Sequence, residues 1–504
     1  MKHTYIGITV GPIGQTLSLA AKPAALWAAS YLFSFVSKSL CEGLCELVEP
    51  EAIITPYIPR DEQQRRALFA MDDGVGLFHD HIILRADKPD GTVLTLEQVG
   101  SLREQVIRKT AEVFTIDQAY LKSYLLIAAC AVETQAGENP ILACEYQLSS
   151  MELQQPFVYR ETKNALLSAF SNERIYKVAY QLGLNQTRWQ LTENGKIRDI
   201  PTLAKSANSP GFKKNGYYCI LRADGDNMSK IIARLAGEEI DTVCRSFSQK
   251  CLDYCSALSK EIGAYGGMTV YAGGDDLLAL VPCEGPVLGK KSTVFSLVQR
   301  IDEIFAEHFL DYGKLRSPGE IFSLSFGMYI CDAHFPLYEA LELSAGMLFG
   351  IAKQNGTKNC VAVQLRKSTG QTVELLLNKK QMEQTEGCVF DTFVEILESL
   401  AGVDGVADGY LLSASQKLLA FESLFEAAKG RDPQNLFRNI FDSDFHLNQH
   451  RSGFLHGTLP EYYTQWCLSG KVKALDKQRQ LDSAIWALAA SMRMMKFFVE
   501  RGED

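Results

Sequence analysis

The sequence lacks the excess of basic residues that a free-standing nucleic-acid-binding protein usually carries. Its 504 residues contain 51 Lys and Arg against 60 Asp and Glu, which gives a formal net charge of −9. A protein without a positive field attracts nucleic acid weakly, so any nucleic acid must be bound by local contacts or through partner subunits. Apolar residues make up 46% and charged residues 22%, which indicates a globular chain and excludes a disordered or fibrous one.

The sequence also lacks the cysteine spacing of a zinc site or a disulfide framework. Its 13 cysteines include no CxxC pair. Cys41 and Cys45, like Cys251 and Cys255, lie one helical turn apart in helical patterns, which is typical of small buried side chains. We therefore expect a structural role for the cysteines, without zinc or disulfides.

Long hydrophobic runs and a secretory signal are absent as well. The longest apolar stretch, residues 23–36, lies between Lys22 and Lys38 and is shorter than the roughly 20 residues that a membrane-spanning helix needs. The N-terminus leads directly into a strand-like segment, without the basic region and cleavage site of a signal peptide. The sequence therefore predicts a buried helix, no membrane association and a cytoplasmic location.

The chain is too long for one hydrophobic core, and three or four domains of about 100–200 residues are expected. Residues 1–165 form the first predicted α/β domain. It has a strand at 5–10, a helix from about 17 to 40, alternating or apolar segments at 52–58 and 81–84, and helices at 96–114 and 119–132. Residues 166–212 are assigned to a small intervening domain and linker, because they end in a polar, turn-rich segment.

Residues 213–384 show the most regular pattern. Strands are predicted at 217–223, 268–272, 277–281, 322–330 and 359–365, and helices at 228–262, 294–312 and 337–353. The order βαββαβ is that of a ferredoxin-like sheet with helices on one face. From about residue 385 the strand signal fades, and amphipathic helices at 389–400, 410–428 and 481–499 predict a helical domain over residues 385–504.

Two acidic segments stand out in this order. Asp224-Gly225-Asp226 follows the first strand, and Gly273-Gly274-Asp275-Asp276 separates the two strands of a hairpin. Because the first strand of such a sheet lies beside the hairpin, we expect both segments to emerge at neighbouring positions. Carboxylates are hard ligands that suit Mg²⁺, and glycines let the backbone approach a phosphate. The pattern therefore predicts a divalent-metal site for a nucleoside triphosphate, as two-metal nucleotidyl transfer requires.

Four motifs of this domain carry a resemblance to a known family: residues 221–230, the motif at 273–276, Ser325-Phe326-Gly327 and Ala352-Lys353. They resemble the second palm domain of the large subunit of type III CRISPR effector complexes, of the III-B kind. Gly11-Pro12 and residues 26–32 look like the opening of that family's first palm domain. The implied fold class is α+β, with two ferredoxin-like palm (βαββαβ) domains, a small intervening domain and a C-terminal helical domain.

The resemblance implies an RNA-activated, magnesium-dependent nucleotidyltransferase that makes cyclic oligoadenylates from ATP for antiviral defence. Its partners would be the other subunits of the ribonucleoprotein complex, with guide RNA and target RNA bound through that complex. The implied catalytic residues are Asp224, Asp275 and Asp276, and the implied metal site, for Mg²⁺ or Mn²⁺, comprises Asp224, Gly225, Asp275 and Asp276. Nucleotide contacts are expected from Gly225, Asp226, Asn227, Gly273, Gly274, Ser325 and Lys353.

The chain departs from the family pattern in two respects. Ser229 stands where the family usually has glycine after the methionine of the first acidic segment. Many relatives carry an N-terminal histidine-aspartate nuclease domain, but the palm-like strand begins at Tyr5, so we expect none here. His79-Asp80-His81 could be mistaken for its signature, although this segment precedes a strand inside the first palm and lacks the scattered ligands of a metallonuclease.

Three further hypotheses stay open. The same palm site could join ATP to another acceptor such as S-adenosylmethionine, as in some members of the family. A diguanylate-cyclase-like enzyme would have a similar palm-type active site, but it would have Glu-Phe where this chain has Asp276-Leu277. A non-catalytic scaffold subunit would organise RNA and small subunits, and it would not need both acidic segments.

Overall fold

The computed structural model describes residues 2–70, 78–153, 166–167, 170, 199–205, 216–354, 358–379, 388–401, 408–420, 453–468 and 484–499, with residues 423, 435, 438 and 439. Two β-sheets with packed helices account for most of these residues, so the α+β fold class is confirmed. The predicted intervening domain, residues 166–212, lies largely outside the described residues.

The first sheet is built by the N-terminal part of the chain. Its elements are β1 (Lys2–Gly11), α1 (Ile13–Ser18), α2 (Pro23–Leu47), β2 (Ile53–Thr55), α3 (Glu62–Phe69), β3 (His81–Arg85), α4 (Leu96–Phe114), α5 (Gln118–Tyr124), β4 (Leu126–Gln135) and α6 (Pro140–Leu153). The strand order is β2-β3-β1-β4, and every neighbouring pair is antiparallel. This is the ferredoxin-like order, with the first strand between the third and the fourth.

The predicted helix over residues 119–132 was wrong in its second half. Helix α5 ends at Tyr124, and β4 runs through the segment after it. The alanines of this segment give it helical propensity, but its pairing with β1 along the whole strand and the burial of Ile127 and Cys130 stabilise a strand instead. Tertiary pairing therefore outweighs local propensity here.

Among the described residues, α2 is the one helix long and apolar enough to cross a membrane by length and composition. In this structure 94% of its apolar window is buried inside the protein. It packs against α4, where the ring of Phe114 lies 5.4 Å from Phe35 and 6.2 Å from Tyr31, measured between centroids. Helix α2 is therefore a core helix of the first palm, as its sequence predicted.

The second sheet is built by the middle of the chain. Its elements are α7 (Ile200–Ala204), β5 (Tyr217–Asp226), α8 (Met228–Ala233), α9 (Ile240–Tyr265), β6 (Met268–Gly273), β7 (Asp276–Pro282), β8 (Glu284–Val287), β9 (Lys290–Thr293), α10 (Val294–Gly313), β10 (Ser323–Asp332), α11 (Leu337–Ala345), a π-helical segment (Gly346–Ala352), β11 (Cys360–Arg366) and β12 (Thr372–Asn378). The order is β12-β11-β10-β5-β7-β6, and β8 pairs separately with β9. The β10-β5-β7-β6 part repeats the order of the first sheet, so both sheets are ferredoxin-like.

Three local expectations need correction. The predicted strand at 217–223 continues to Asp226 and pairs with β10, so the first acidic segment is a strand end and not a free turn. The predicted helix at 228–262 is two helices separated around Gly237, and the predicted helix at 337–353 becomes π-helical after Ala345. Strand β12 and the β8–β9 hairpin were not predicted, because short strands with polar residues give little periodic signal.

The C-terminal part is helical, with α12 (Val389–Ala401), α13 (Asp408–Ala420), α14 (Gly453–Leu468) and α15 (Ala484–Val499). These helices pack against the second palm. The Phe295 ring on α10 lies 4.9 Å from Phe393 and 5.6 Å from Phe498, and Tyr217 lies 4.9 Å from Phe497. The palm and the helices therefore share a hydrophobic core.

Gly327 of β10 lies under the π-helical segment, and a Cβ atom there would be 2.5 Å from the backbone nitrogen of Leu348. We expect Gly327→Ala to destabilise the protein by about 1–3 kcal/mol, because backbone atoms cannot rotate out of the way. Thermal unfolding measures this loss. Gly263→Ala is the matched control, since no atom lies within 4 Å of the added Cβ and alanine favours the helix. Equal melting temperatures for the two variants would contradict the close packing.

Candidate functional site

The three candidate metal-binding carboxylates meet where β5 ends and β7 begins. Strand β5 pairs with β7 as far as Ala223 and Leu277, so Asp224 and Asp276 leave the pairing side by side. Asp275 lies in the tight turn between β6 and β7. The convergence expected from the strand order is therefore present in the structure.

Two glycines shape this arrangement. Gly274 is the first residue of a two-residue hairpin loop and has a φ of 64°. Hairpin turns with a positive φ at this position favour glycine there. A Cβ atom at Gly225 would be 2.3 Å from Oδ2 of Asp275. Any larger residue at position 225 would push Asp275 away from β5, so glycine is needed for the carboxylates to come together.

Burial, and then the crowding of negative charge, raises the pKa values of two of these carboxyls. Burial, and then the neighbouring Asp224, raises the pKa of Asp275 to about 6, although Lys353 opposes the shift. Burial, together with the charges of Asp275, Asp224 and Asp80, raises the pKa of Asp276 well above its usual range. Asp275 is half-buried and Asp276 is exposed to solvent, and both line a pocket. Hard oxygen ligands with excess negative charge fit a divalent cation such as Mg²⁺.

A buried ion pair between Asp226 and Lys353 lies beneath these carboxylates. Nζ of Lys353 donates to Oδ1 of Asp226 at 2.9 Å and to the carbonyl oxygens of Asp224 and Gly225 at 2.8 and 2.7 Å. The ammonium also contacts the carboxylate of Asp224. Lys353 therefore ties the end of β5 together from below.

Asp226 is fully buried, and several donors surround its carboxylate. Ser325 Oγ donates to its two oxygens at 2.9 and 2.8 Å, Ser323 Oγ donates at 2.8 Å, and the backbone N–H of Asn359 donates at 2.9 Å. With Lys353 added, the hydrogen-bonding capacity of this carboxylate is largely used by the protein itself. Its placement favours a supporting role.

Three residues expected to contact nucleotide thus lie under the site and do not face it. Asp226 and Ser325 are completely buried. Asn227 has a φ of 62°, and its side-chain amide donates to the carbonyl of Ile321 at 2.7 Å, so it shapes the entry to α8. By contrast, Gly273 and Gly274 line the pocket, and their contact with a nucleotide stays a prediction.

A pocket of about 210 Å³ opens in front of Asp275 and Asp276, between the two palms. The second palm contributes the hairpin at 273–276 and side chains of α8 and α9. The first palm contributes several polar residues, namely Thr55, His79, Asp80, His81 and Glu145. The candidate site is therefore shared by both sheets.

The first-palm wall of the pocket is not predicted by the sequence motifs. The repeated strand order could have identified this wall, because β3 occupies the position in the first sheet that β7 occupies in the second. Asp80-His81 accordingly stands at the start of β3, as Asp275-Asp276 stands at the start of β7. In sequence, His79-Asp80-His81 resembles only a nuclease motif, whereas the structure places it across the pocket from Asp275 and Asp276, two of the candidate metal-binding carboxylates.

Contacts between the palms fix the two walls of the pocket. The Arg245 guanidinium on α9 donates to the carbonyls of Pro50 at 2.9 Å and Ile58 at 2.8 Å, and it also contacts the carbonyl of Ile53. The Tyr5 hydroxyl donates to Asp241 at 2.7 Å. These bonds join α9 of the second palm to the sheet of the first.

The first-palm wall is acidic around a central histidine. His81 lies 2.7 Å from Glu152 through Nε2 and 3.5 Å from Glu145 through Nδ1. Burial acts to lower the pKa of His81, but the hydrogen bonds to both glutamates outweigh it and raise the pKa to about 10. Burial lowers the pKa of His79 to about 4, although Asp80 opposes the shift. Among the described residues that line the pocket, none is Lys or Arg.

The raised pKa of Asp275 predicts how the metal-free protein responds to pH. The pKa is 3.8 ordinarily and about 6 here, so between these values the folded protein holds more protons than the unfolded chain. The stability contributed by this group is therefore present at low pH and is lost as the pH rises through about 6. We expect Asp275→Asn with Asp276→Asn, in EDTA, to gain stability over the native protein as the pH rises, because the variant carries no clustered charge.

The measurement is thermal unfolding of both proteins at about pH 5 and about pH 8. Asp253→Asn, an exposed position on α9, controls for removal of an aspartate as such. A stability difference of the same size at both pH values would contradict the assignment.

Family comparisons agree with the two-palm architecture. A model of Cas10/Cmr2, second palm domain, matches residues 217–362, and a model of CRISPR-associated protein Cmr2, N-terminal, matches residues 5–115. The chain is 26% identical over 200 residues to the CRISPR system Cmr subunit Cmr2 of Pyrococcus furiosus. That match covers 35% of this chain and only 21% of the relative.

Solved structures share the fold at low identity. The type III-B Cmr-beta structure in the apo state aligns over 99% of this chain and 82% of its own, with a TM-score of 0.64 and 10% identity. Csm1–Csm4 cassettes in complex with cA4 and with one ATP align over 99% and 70%, with a TM-score of 0.53 and 13% identity. The two family models lie on the two palms and together match just over half of the residues, so the chain belongs to the Cas10/Cmr2 family of CRISPR-associated palm-domain proteins.

Proposed function

We propose that this protein is an RNA-activated, magnesium-dependent nucleotidyltransferase subunit of a cytoplasmic type III CRISPR effector complex, and that it makes cyclic oligoadenylates from ATP. One observation carries the proposal: Asp224, Asp275 and Asp276 converge at neighbouring strand ends, and Asp275 and Asp276 line an open pocket between two palms. Family membership supports it, as does the shared fold with a Csm1–Csm4 cassette solved with ATP.

The residues of the second palm would have separate roles in this reaction. Asp224, Asp275 and Asp276 would hold the divalent ion, which when bound activates the attacking hydroxyl and neutralises the leaving pyrophosphate. Gly273 and Gly274 have no side chains, so a triphosphate can approach the hairpin backbone. Lys353 holds Asp224 in place and offsets part of the negative charge, and direct contact between Lys353 and the triphosphate stays a prediction.

The first-palm wall gives specific support to a second candidate, transfer of AMP from ATP to a cationic acceptor. A second ATP would bring several negative charges against Asp80 and Glu145, and His81 would offset only part of this repulsion, since no Lys or Arg is among the described lining residues. The sulfonium and ammonium groups of S-adenosylmethionine would instead be attracted. A hydroxyl of the acceptor would attack the α-phosphorus, and pyrophosphate would leave.

The scaffold and diguanylate-cyclase hypotheses receive less support. A scaffold subunit would not require three carboxylates at neighbouring strand ends, or a lysine paired beneath them. A diguanylate-cyclase-like enzyme would use GTP, and replacing ATP by GTP in the assay distinguishes it from an ATP-dependent enzyme. We expect turnover with ATP.

Asp275→Asn with Asp276→Asn should abolish nucleotide product, because the divalent ion loses two charged ligands, while the fold stays intact. The assay is mass spectrometry of products formed from ATP alone and from ATP with S-adenosylmethionine. Products of ATP alone identify cyclic oligoadenylates, and a mixed conjugate identifies the second candidate. Asp253→Asn serves as the control, and undiminished turnover in the double variant would refute the metal assignment.

Control by RNA is expected to come through other subunits, because an acidic chain is poorly suited to bind RNA unaided. We expect little product from the isolated chain, and turnover only from the guide-loaded complex with matching RNA. A bias of a few kcal/mol in the positions of the palms would suffice for such a switch. Equal rates from subunit, complex and RNA-bound complex would refute gating but not catalysis.

Apolar residues recur at helical spacing in the C-terminal helices, and we expect most of them to serve the hydrophobic core and not a partner surface. Phe390, Phe393, Ile396 and Leu397 are buried in the hydrophobic core, as are Ile485, Met495 and Phe498. Contacts with other subunits would therefore use surfaces other than these seven side chains.

A further inference from the structure

A second group of metal-ligating side chains lies on the first-palm side of the pocket. Asp80, His81 and Glu152 each offer one ligand atom, and these three atoms lie within 4.8 Å of one another. Asp80 and His81 stand at the start of β3, and Glu152 lies in the last turn of α6. We propose that these residues bind one divalent transition-metal cation, at a site separate from the carboxylates of the second palm.

The histidine is oriented as a metal ligand would be. A metal-binding imidazole usually presents one nitrogen to the ion and donates the other N–H to a carboxylate. His81 directs Nε2 toward Glu152 at 2.7 Å and Nδ1 toward Glu145 at 3.5 Å. Glu145 thus occupies the outer position, and an ion would displace the proton that Nε2 of His81 shares with Glu152.

The two carboxylates complete the set in different ways. Thr9 donates its hydroxyl to Oε1 of Glu152 at 2.5 Å, so the protein positions this glutamate. Asp80 has no hydrogen bond or ion pair from its carboxylate to any described residue, although it is half-buried. Its charge also reaches Asp276 across the pocket. The ring of His81 offsets part of this charge, and a divalent cation beside Asp80 would offset more of it.

The donor set indicates the class of ion. One imidazole and two carboxylates suit Mn²⁺, Fe²⁺ or Zn²⁺, whereas Mg²⁺ prefers oxygen ligands alone. Three protein ligands leave coordination positions open toward the pocket. An ion there would offset two of the three negative charges on Asp80, Glu145 and Glu152 and would offer a phosphate group an open coordination position. Occupancy would therefore favour an anionic partner over a cationic one.

Isothermal titration of the full chain with Mn²⁺ tests the site. The titration is done in the Asp275→Asn, Asp276→Asn background, so that the carboxylates of the second palm contribute little. Mn²⁺ is the probe, because the cysteine thiols of the chain favour softer ions. We expect one bound ion per chain. Each of Glu152→Gln, Asp80→Asn and Glu145→Gln should reduce the affinity for Mn²⁺ by about tenfold or more.

Glu133→Gln is the matched control, since Glu133 lies on the surface in an ion pair with Lys2, at 3.0 Å. It should bind Mn²⁺ as the background protein does. Asp80→Asn keeps the test valid if Glu152→Gln fails to fold, because Asp80 makes no described side-chain bond that the fold would lose. The proposal is overturned if Mn²⁺ does not bind the background protein, or if Asp80→Asn binds it unchanged.

Discussion

The geometry of the site depends on the buried ion pair between Asp226 and Lys353. Removing one partner of this pair would cost about 3–5 kcal/mol, because the other charge would be left uncompensated. Burying both charges is itself unfavourable, and additional hydrogen bonds offset that cost. Those bonds come from β10, from the backbone before β11 and from the end of the π-helical segment. The same ammonium holds two carbonyls of β5, so Asp224 is presented from a strand fixed on several sides.

Two sheets of the same strand order enclose one pocket, yet their walls differ in chemistry. The start of β7 presents open carboxylates, whereas the start of β3 presents a histidine held between two glutamates. Bonds from Arg245 and Tyr5 join the palms, so these contacts set the distance between the two walls of the pocket. The pocket is therefore a property of the pair of palms and not of either palm alone.

The sequence could predict the meeting of Asp224, Asp275 and Asp276, because strand order and turn residues decide it. The sequence could not show that Asp226 supports the site from below while Asp224 is a candidate metal ligand. Both are aspartates at one strand end, and their different environments come from serines on β10 about a hundred residues later. The sequence did not predict the first-palm wall of the pocket for a related reason. Glu145 and Glu152 look like ordinary surface residues of a helix until α6 is placed against β1 and β3. The helix predicted at 119–132 failed because pairing with β1 is not visible locally.

The π-helical segment before Lys353 makes the site sensitive to chain length. The Lys353 N–H bonds to the carbonyl of Leu348, five positions earlier, at 2.8 Å. A π-turn holds one residue more than an α-turn, so deleting one residue here would restore an α-helix and rotate the residues after it by about 100°. The ammonium would then turn away from β5, although every residue of the metal site would still be present in the sequence. Among relatives, a helix shorter by one residue at this point would therefore identify a palm whose motif is intact but whose support is lost.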